Sequence, residues 1–227
     1  MKILCVSDQI DPLVYSNSIK KRFADVDIIL SAGDLPLDYL DFIVSSLNRP
    51  LFYVFGNHHV PEKPRSPFLT EANNPFDGGS FQVDLREDSD SHVGSKVRKE
   101  EGVIVAGLGG SMRYNKGPNQ FTEFGMYMEI VKLIPRLLWN RLLHGRFLDI
   151  LLTHAPPKGI HDKPDRCHQG FKAFLWFIKK FKPKYLVHGH IHLYDLSDIR
   201  RTRWLETEII NAYGHYIIDT DEDAAKS

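Results

Sequence analysis

The chain has 227 residues, and its 29 Lys and Arg balance its 29 Asp and Glu to give a formal net charge of zero. With 42% hydrophobic and 26% charged residues it has a globular composition, which excludes wholesale disorder, and the balanced charge argues against a surface built to bind nucleic acid or anionic membrane. No segment approaches the ~20 apolar residues of a membrane span, and the two cysteines, Cys5 and Cys167, favour free thiols in a reducing cytoplasm. We expect one cytoplasmic domain over residues 1–227.

Six short apolar runs, each bounded by Gly, Asp, Asn or His, predict strands that are buried on both faces. In chain order they are residues 3–6, 28–30, 51–55, 103–108, 148–152 and 185–187. Apolar residues with helical spacing lie between several of them, over residues 40–47, 122–144 and 171–178, and Pro135 is expected to kink or split the second helix. Strands that alternate with helices indicate an α/β architecture.

Two regions break this alternation. Residues 61–80 are rich in Pro, Asn and Gly, which predicts a long surface loop. Residues 204–210 and 213–218 have the pattern of two strands separated by Asn211 and Ala212, which predicts a hairpin-like return near the end of the chain.

Carboxylate, amide and imidazole side chains follow five of the predicted strands at the point where each strand ends. These residues are Asp8, Asp34, Asn57 with His58 and His59, His154, and the pair His190 and His192. Ligands of open α/β sheets collect beyond the carboxyl ends of the strands, so these side chains predict a metal site. Carboxylate, amide oxygen and neutral imidazole together suit Mn, Fe or Zn better than Ca or Mg.

Each of these residues also has a structural interpretation when it is taken alone. Asp8 and Asp34 could be turn residues, and His154 could end a strand with a hydrogen-bonded ring. His190 and His192 stand two apart, so they reach one site only if the strand ends there. The agreement of five strand ends is what favours the metal interpretation.

The order Asp8, Gly33-Asp34, Gly56-Asn57-His58, His154, Gly189-His190-Ile191-His192 resembles the calcineurin-like metallophosphoesterase family. The pattern extends over residues 8–192, which is most of the chain. The resemblance implies an α/β fold in four layers, a metallophosphoesterase-type β sandwich flanked by helices, with two divalent metal ions at the strand ends. It also implies hydrolysis of a phosphomonoester or phosphodiester.

Carried over to this sequence, the family pattern makes Asp34 the bridge between both metals and gives the first metal Asp8 and His192. The family's nucleophile is a hydroxide that bridges two ions ~3.5–4 Å apart.

The second metal would take Asn57, His154 and His190 in addition to the bridging carboxylate. His58 is not a ligand in the family pattern; it would face the phosphoryl group and assist departure of the leaving oxygen.

The sequence departs from the family pattern twice. Ile10 stands where the family's first motif has a metal-binding His, so the first site is expected to be weaker, or completed by water, Gln9 or Asp11. For Asp11 we favour instead a cap on the helix expected to follow Pro12. His59 replaces a residue that is usually acidic in the family, which is expected to lower the proton affinity of His58.

The leading prediction is therefore a binuclear metal-dependent phosphoesterase with Mn or Fe favoured and Zn as a further candidate. A small phosphoester is the expected substrate, nucleic acid is not favoured, and no membrane partner is expected. The alternative is a related binding or scaffold protein whose catalysis is weakened, because Ile10 replaces a metal ligand.

Overall fold

The structure is a computed structural model, and it describes residues 1–58, 91–195 and 197–225. Its first sheet has the strand order β12-β1-β2-β3, in which β1, β2 and β3 are parallel and β12 pairs antiparallel with β1. The bounds are β1 Lys2–Ser7, β2 Ile28–Ser31, β3 Leu51–Tyr53 and β12 Gly214–Asp219.

The second sheet has the order β10-β11-β9-β8-β5-β4, with a parallel centre and an antiparallel strand at each edge. Its bounds are β4 Val97–Glu100, β5 Val103–Leu108, β8 Ile150–Thr153, β9 Tyr185–His188, β10 Arg201–Trp204 and β11 Thr207–Asn211. A short parallel pair, β6 Ser111–Met112 and β7 Gln120–Phe121, lies apart from both sheets.

Helices cover the outer face of each sheet. The helices are α1 Ile19–Arg22, α2 Leu37–Leu47, α3 Glu123–His144, α4 Lys172–Phe181 and α5 Thr220–Ala225. One apolar cluster joins α1 and α2 to the first sheet, and another joins α3 and α4 to the second. Among the described residues, no helix has both the length and the apolar character that crossing a membrane requires.

The two sheets pack face to face through a third apolar cluster. Ile3 and Cys5 of β1 point into it, whereas Leu4 and Val6 point outward to the helices. Because successive side chains of a strand alternate between its two faces, a strand between two apolar layers must be apolar at every position. The six predicted strands and the predicted four-layer sandwich are therefore confirmed.

Pro135 was predicted to kink or split its helix. The split is not found, since α3 is continuous from Glu123 to His144. Pro135 forgoes only the hydrogen bond to the carbonyl of Val131, and both residues are exposed. That carbonyl therefore lies on the side of the helix that faces away from the second sheet, so the lost bond leaves no unpaired carbonyl in the apolar core.

The predicted hairpin between residues 204–210 and 213–218 is also wrong. Strand β11 lies in the second sheet, and after Ala212 the chain crosses to the first sheet, where β12 pairs with β1. The hairpin partner of β11 is β10, which was not predicted. The predicted surface loop at residues 61–80 lies outside the described residues.

Candidate metal centre

The carboxyl ends of the parallel strands bring the predicted ligands to one edge of the sandwich. Asp8 follows β1 and Asp34 follows β2, while His154 comes directly after β8 in the facing sheet. One ligand atom from each of these three residues lies within 4.8 Å of the other two. A single cation could therefore contact carboxylates of the first sheet and an imidazole of the second.

His154 is fixed in the orientation that a metal ligand needs. Its ring is fully buried, and its Nδ1–H donates to the carbonyl of Ala32 at 2.7 Å. A carbonyl can only accept, so Nδ1 carries the proton and Nε2 faces the cluster, 3.2 Å from Asp34 Oδ2. A backbone carbonyl on the remote nitrogen is the usual support of a metal-binding imidazole.

Asn57 turns its oxygen toward the same place. Its Oδ1 lies 3.0 Å from His154 Nε2, and its amide donates to the hydroxyl of Tyr114 at 3.2 Å. In this orientation the amide nitrogen is used by Tyr114 and the oxygen faces the cluster, which is the end of the amide that can bind a cation.

The two histidines after β9 have supports of the same kind. Nε2–H of His190 donates to the carbonyl of Cys167 at 2.7 Å, which leaves Nδ1 as the nitrogen able to bind a metal. His192 has its Nδ1 2.8 Å from the hydroxyl of Tyr194 and its Nε2 3.9 Å from Asp8 Oδ1. Its ring also stacks on Tyr213 at a centroid distance of 4.9 Å.

The backbone is strained where it presents three of these side chains. Asp8, Asp34 and His190 have φ values of 61°, 55° and 66°, a left-handed conformation that costs a non-glycine residue about 1–3 kcal/mol. Such strain persists only where the surrounding structure enforces it and is typical of functional sites.

Two glycines make room for the cluster. A Cβ on Gly33 would lie 2.6 Å from the backbone nitrogen of Gly56 and 2.8 Å from His154 Nδ1. A Cβ on Gly189 would collide with the carboxylate of Asp8. The strand ends can approach one another only because these positions lack side chains.

The electrostatics of the cluster favour a cation. Burial opposes the charged forms of both partners in the His154–Asp34 pair, but their mutual attraction outweighs it, raising the pKa of His154 and lowering that of Asp34. Burial raises the pKa of Asp8, whose side chain is only 2% exposed. Two buried carboxylates face one imidazole here, and the donor set of carboxylate, amide oxygen and imidazole fits divalent transition metals.

His58 lies at the mouth of the cluster and not inside it. Its backbone N–H donates to Asp34 Oδ1 at 3.0 Å, and the residue is exposed. The backbone bond fixes where the imidazole begins while leaving the ring accessible. His59, whose effect on His58 was predicted, lies outside the described residues.

Within the described residues, neither Ile10 nor Asp11 supplies the ligand that the family pattern places two residues after Asp8. Ile10 is exposed, and Asp11 is engaged elsewhere, with Oδ2 2.6 Å from His215 Nδ1 and Oδ1 accepting from the N–H of Leu13 at 2.8 Å. Asp11 caps a turn and not the expected helix, since α1 begins only at Ile19.

The supporting residues were not predicted from the sequence. Tyr194 stands two positions after His192, and that closeness is the one signal that could have identified it. Tyr114 and Tyr213 reach the site from distant loops, and nothing in their sequence neighbourhoods indicates this.

A second group of donor side chains, Asp165, Cys167 and His168, lies on the neighbouring loop, with ligand atoms within 4.8 Å of one another. The ring of His168 lies 5.3 Å from that of His190, centroid to centroid. This group is hydrogen-bonded within itself, since Asp165 Oδ1 lies 2.7 Å from His168 Nδ1 and 2.9 Å from the thiol of Cys167.

Comparison with known proteins identifies the family to which this arrangement corresponds. The sequence model of the calcineurin-like phosphoesterases matches residues 1–194. None of the curated protein sequences matches the chain. The crystal structure of TT1561 from Thermus thermophilus is 15% identical, with a TM-score of 0.56, and the alignment covers 93% of this chain and 88% of that one. Another solved structure, also 15% identical, has a TM-score of 0.62 and covers 97% and 95%. These likenesses show a shared fold.

Proposed function

This chain belongs to the calcineurin-like phosphoesterase family, and we propose that it hydrolyses a small phosphoester with the help of two divalent cations at the strand ends. The observation that carries this proposal is the orientation of His154, whose Nε2 faces Asp34 and Asn57 while its Nδ1 is used by a backbone carbonyl. A histidine that merely ended a strand would need no carboxylate and amide oxygen aimed at its second nitrogen.

The better-formed of the two sites would be the second. It takes the bridging Asp34 together with Asn57, His154 and His190, and each imidazole has its other nitrogen bonded to a carbonyl. Mn and Fe are the metals we favour for this mixture of oxygen and nitrogen donors, with Zn as a further candidate.

The first site would take Asp8, Asp34 and His192, one protein ligand fewer than the family pattern. His192 is 42% exposed, so this site is also the more open to water. We therefore propose that the first cation binds more weakly than the second and completes its coordination with solvent.

Together the two cations would draw in the phosphoryl oxygens of the substrate and lower the pKa of a water held between them. His58 would then donate a proton to the departing oxygen, since imidazole is the side chain that changes protonation near neutral pH. The backbone bond from His58 to Asp34 supports this role, because it ties the imidazole to the carboxylate that bridges the cations.

The substrate is proposed to be small. The chain has no excess of Lys and Arg, so attraction for phosphate would be local to the cations and would not extend along a nucleic-acid track. Both cysteines are free thiols, which supports a reducing compartment such as the cytoplasm.

A binding or scaffold protein with weakened catalysis is the second candidate. Its support is Ile10, which cannot ligate a metal, together with Asp11, which is held by His215 and not turned to the site. The two candidates differ in turnover and not in fold.

The test is hydrolysis of p-nitrophenyl phosphate and bis-p-nitrophenyl phosphate by metal-free protein supplied with Mn, Fe, Co, Ni or Zn. We expect metal-dependent turnover that Asp34→Asn abolishes. Asp38→Asn, the same change at an exposed carboxylate of α2, should retain the wild-type rate. Metal binding without turnover of either ester would favour the scaffold.

A further inference from the structure

Helix α3 is apolar on two faces, and only one of them packs against the core. Its inward face is buried on the second sheet and consists of Met126, Ile130, Leu133 and Leu137, with Asn140 at the end. Its outward face carries a row of exposed residues, which we name the outer seam: Phe124, Met128, Val131, Pro135, Leu138 and Leu142. A helix that only covers a sheet would have polar residues there.

The spacing of the outer seam is that of a coiled coil. From Phe124 to Leu142 its members follow one another at intervals of four, three, four, three and four residues, which are the a and d positions of a heptad repeat. Such a row lies along one side of the helix and suits packing against another helix, since i,i+3 and i,i+4 neighbours share a face.

The exposed area of this face approaches that of a stable interface. Of the fourteen large hydrophobic side chains that are exposed in the described part of the chain, seven lie on α3, with exposed fractions from 47% for Met128 to 76% for Leu142. Five of the seven belong to the outer seam and Trp139 lies beside it. At roughly 150–250 Å² for a large side chain, these six leave on the order of 600 Å² of apolar surface exposed, which approaches the ~800 Å² that each partner of a standard interface buries.

We propose that the outer seam is where a second copy of this chain binds, with the two α3 helices antiparallel about a twofold axis near Leu133. In that register Phe124 of one copy meets Leu142 of the other, Met128 meets Leu138, and Val131 meets Pro135. Each seam residue therefore faces another seam residue, as a self-complementary twofold interface requires.

The residues beside the seam fit the same arrangement. Gly125 of one copy would lie opposite Trp139 of the other, which sets the smallest residue of the helix against its largest. Tyr127 would lie opposite Arg141, whose guanidinium can stack on the tyrosine ring. Both pairs recur on the other side of the axis by symmetry.

Sedimentation of the full chain tests the interface. The wild-type protein should be a dimer at micromolar concentration, and Leu138→Glu should weaken dimerisation by at least about 100-fold, because each copy contributes the residue and the seam is buried only in the dimer. Leu205→Glu is the matched control: Leu205 is 58% exposed, as Leu138 is 56%, but it lies in the turn between β10 and β11. The control should remain dimeric, and circular dichroism should show that both variants are folded.

A monomeric wild-type protein, or a dimer that Leu138→Glu leaves intact, would overturn the proposal. If the wild-type protein is a monomer that binds phosphatidylglycerol vesicles, and Leu138→Glu abolishes that binding, the proposal is overturned in favour of a membrane surface.

Disulfide trapping tests the orientation, in a Cys167→Ser background. Phe124→Cys mixed with Leu142→Cys should cross-link the two chains, whereas either variant alone should not. Phe124 and Leu142 are eighteen residues apart, so identical positions of antiparallel helices lie about 27 Å from each other at ~1.5 Å per residue. Cross-linking of Leu142→Cys to itself would contradict the antiparallel arrangement.

Discussion

The imidazole of His58 stands one residue after a buried amide, yet it is exposed, and this contrast separates the proposed ligands from the proposed proton donor. Asn57 is 4% exposed and reaches Nε2 of His154, whereas His58 contacts the cluster only through its backbone N–H. The strand end therefore delivers one side chain inward and leaves the next at the mouth of the site.

His58→Ala should lower kcat by about 10²–10⁴ while leaving the metal content unchanged, because it removes a proton donor and no ligand. The loss should be larger for alkyl phosphates than for p-nitrophenyl phosphate, whose leaving oxygen needs little protonation. Equal losses for both esters, or loss of metal, would argue against this role.

Ile10→His should raise the affinity of the first cation, since it restores the ligand that the family pattern places two residues after Asp8. Calorimetric titration of metal-free protein should then show that the weaker of the two metal-binding steps becomes tighter, while the affinity of the stronger step is unchanged. If the weak step does not move, Ile10 does not occupy the ligand position we assign to it.

Tyr194→Phe should lower the affinity for the first cation by about 10-fold, as is usual when the group supporting a metal-binding imidazole is removed. The hydroxyl of Tyr194 lies 2.8 Å from His192 Nδ1 and supports no described ligand of the second cation. Tyr15→Phe is the control and should change neither binding step, because Tyr15 is half-exposed and its ring packs on Tyr39 and Phe42.

The turns after the strands matter as much as the side chains that they carry. Gly33 adopts a φ of +101° beside Gly56, and together they let the ends of β2 and β3 converge on His154. Asp34, directly after Gly33, is itself left-handed. Gly33-Asp34 therefore sets the backbone geometry at the end of β2 and also supplies a carboxylate.

Gly33→Ala should abolish metal binding and lower the free energy of unfolding by several kcal/mol, through left-handed strain and crowding against Gly56 and His154. Gly102→Ala isolates the strain, because Gly102 has a φ of +79° but nothing within 4 Å of a new Cβ. The control should cost about 1–3 kcal/mol and leave metal binding intact, as measured by denaturant unfolding and metal titration. Similar effects of the two variants would contradict the crowding argument.

The hydrophobic pattern of the sequence predicted strands well in the centre of the sheets, where burial dictates the residue type, and poorly at the edges of the sheets. Strands β5 and β8 lie between two apolar layers, so their sequences are continuously apolar and unmistakable. Strand β10 lies at an edge and reads Arg-Thr-Arg-Trp, in which exposed and partly buried polar residues give no strand signal. Pro135 did not split α3, because the hydrogen bond that it removes lies on the face of the helix away from the core, and sequence alone does not specify this face.

Across the whole molecule, the sequence predicted which residues converge but not what supports them. Parallel strands must present their carboxyl ends at one edge, so the positions of Asp8, Asp34 and His154 followed from strand order alone. The contacts that orient other predicted ligands, from Tyr114 to Asn57 and from the carbonyl of Cys167 to His190, join segments distant in the chain. For the same reason the crossing of β12 to the first sheet was missed, since its partner β1 lies at the opposite end of the sequence.

The central claim is that phosphoester hydrolysis by this chain requires two cations of unequal affinity. Its most direct test is a titration of metal-free protein with Mn²⁺ in which bound metal and hydrolysis of p-nitrophenyl phosphate are followed together. We predict no turnover without metal. The equivalent that binds tightly, at the second site, should give little activity, and turnover should rise only as the weaker first site fills. Turnover by the metal-free protein, or two bound equivalents with no turnover of any phosphoester offered, would contradict the claim.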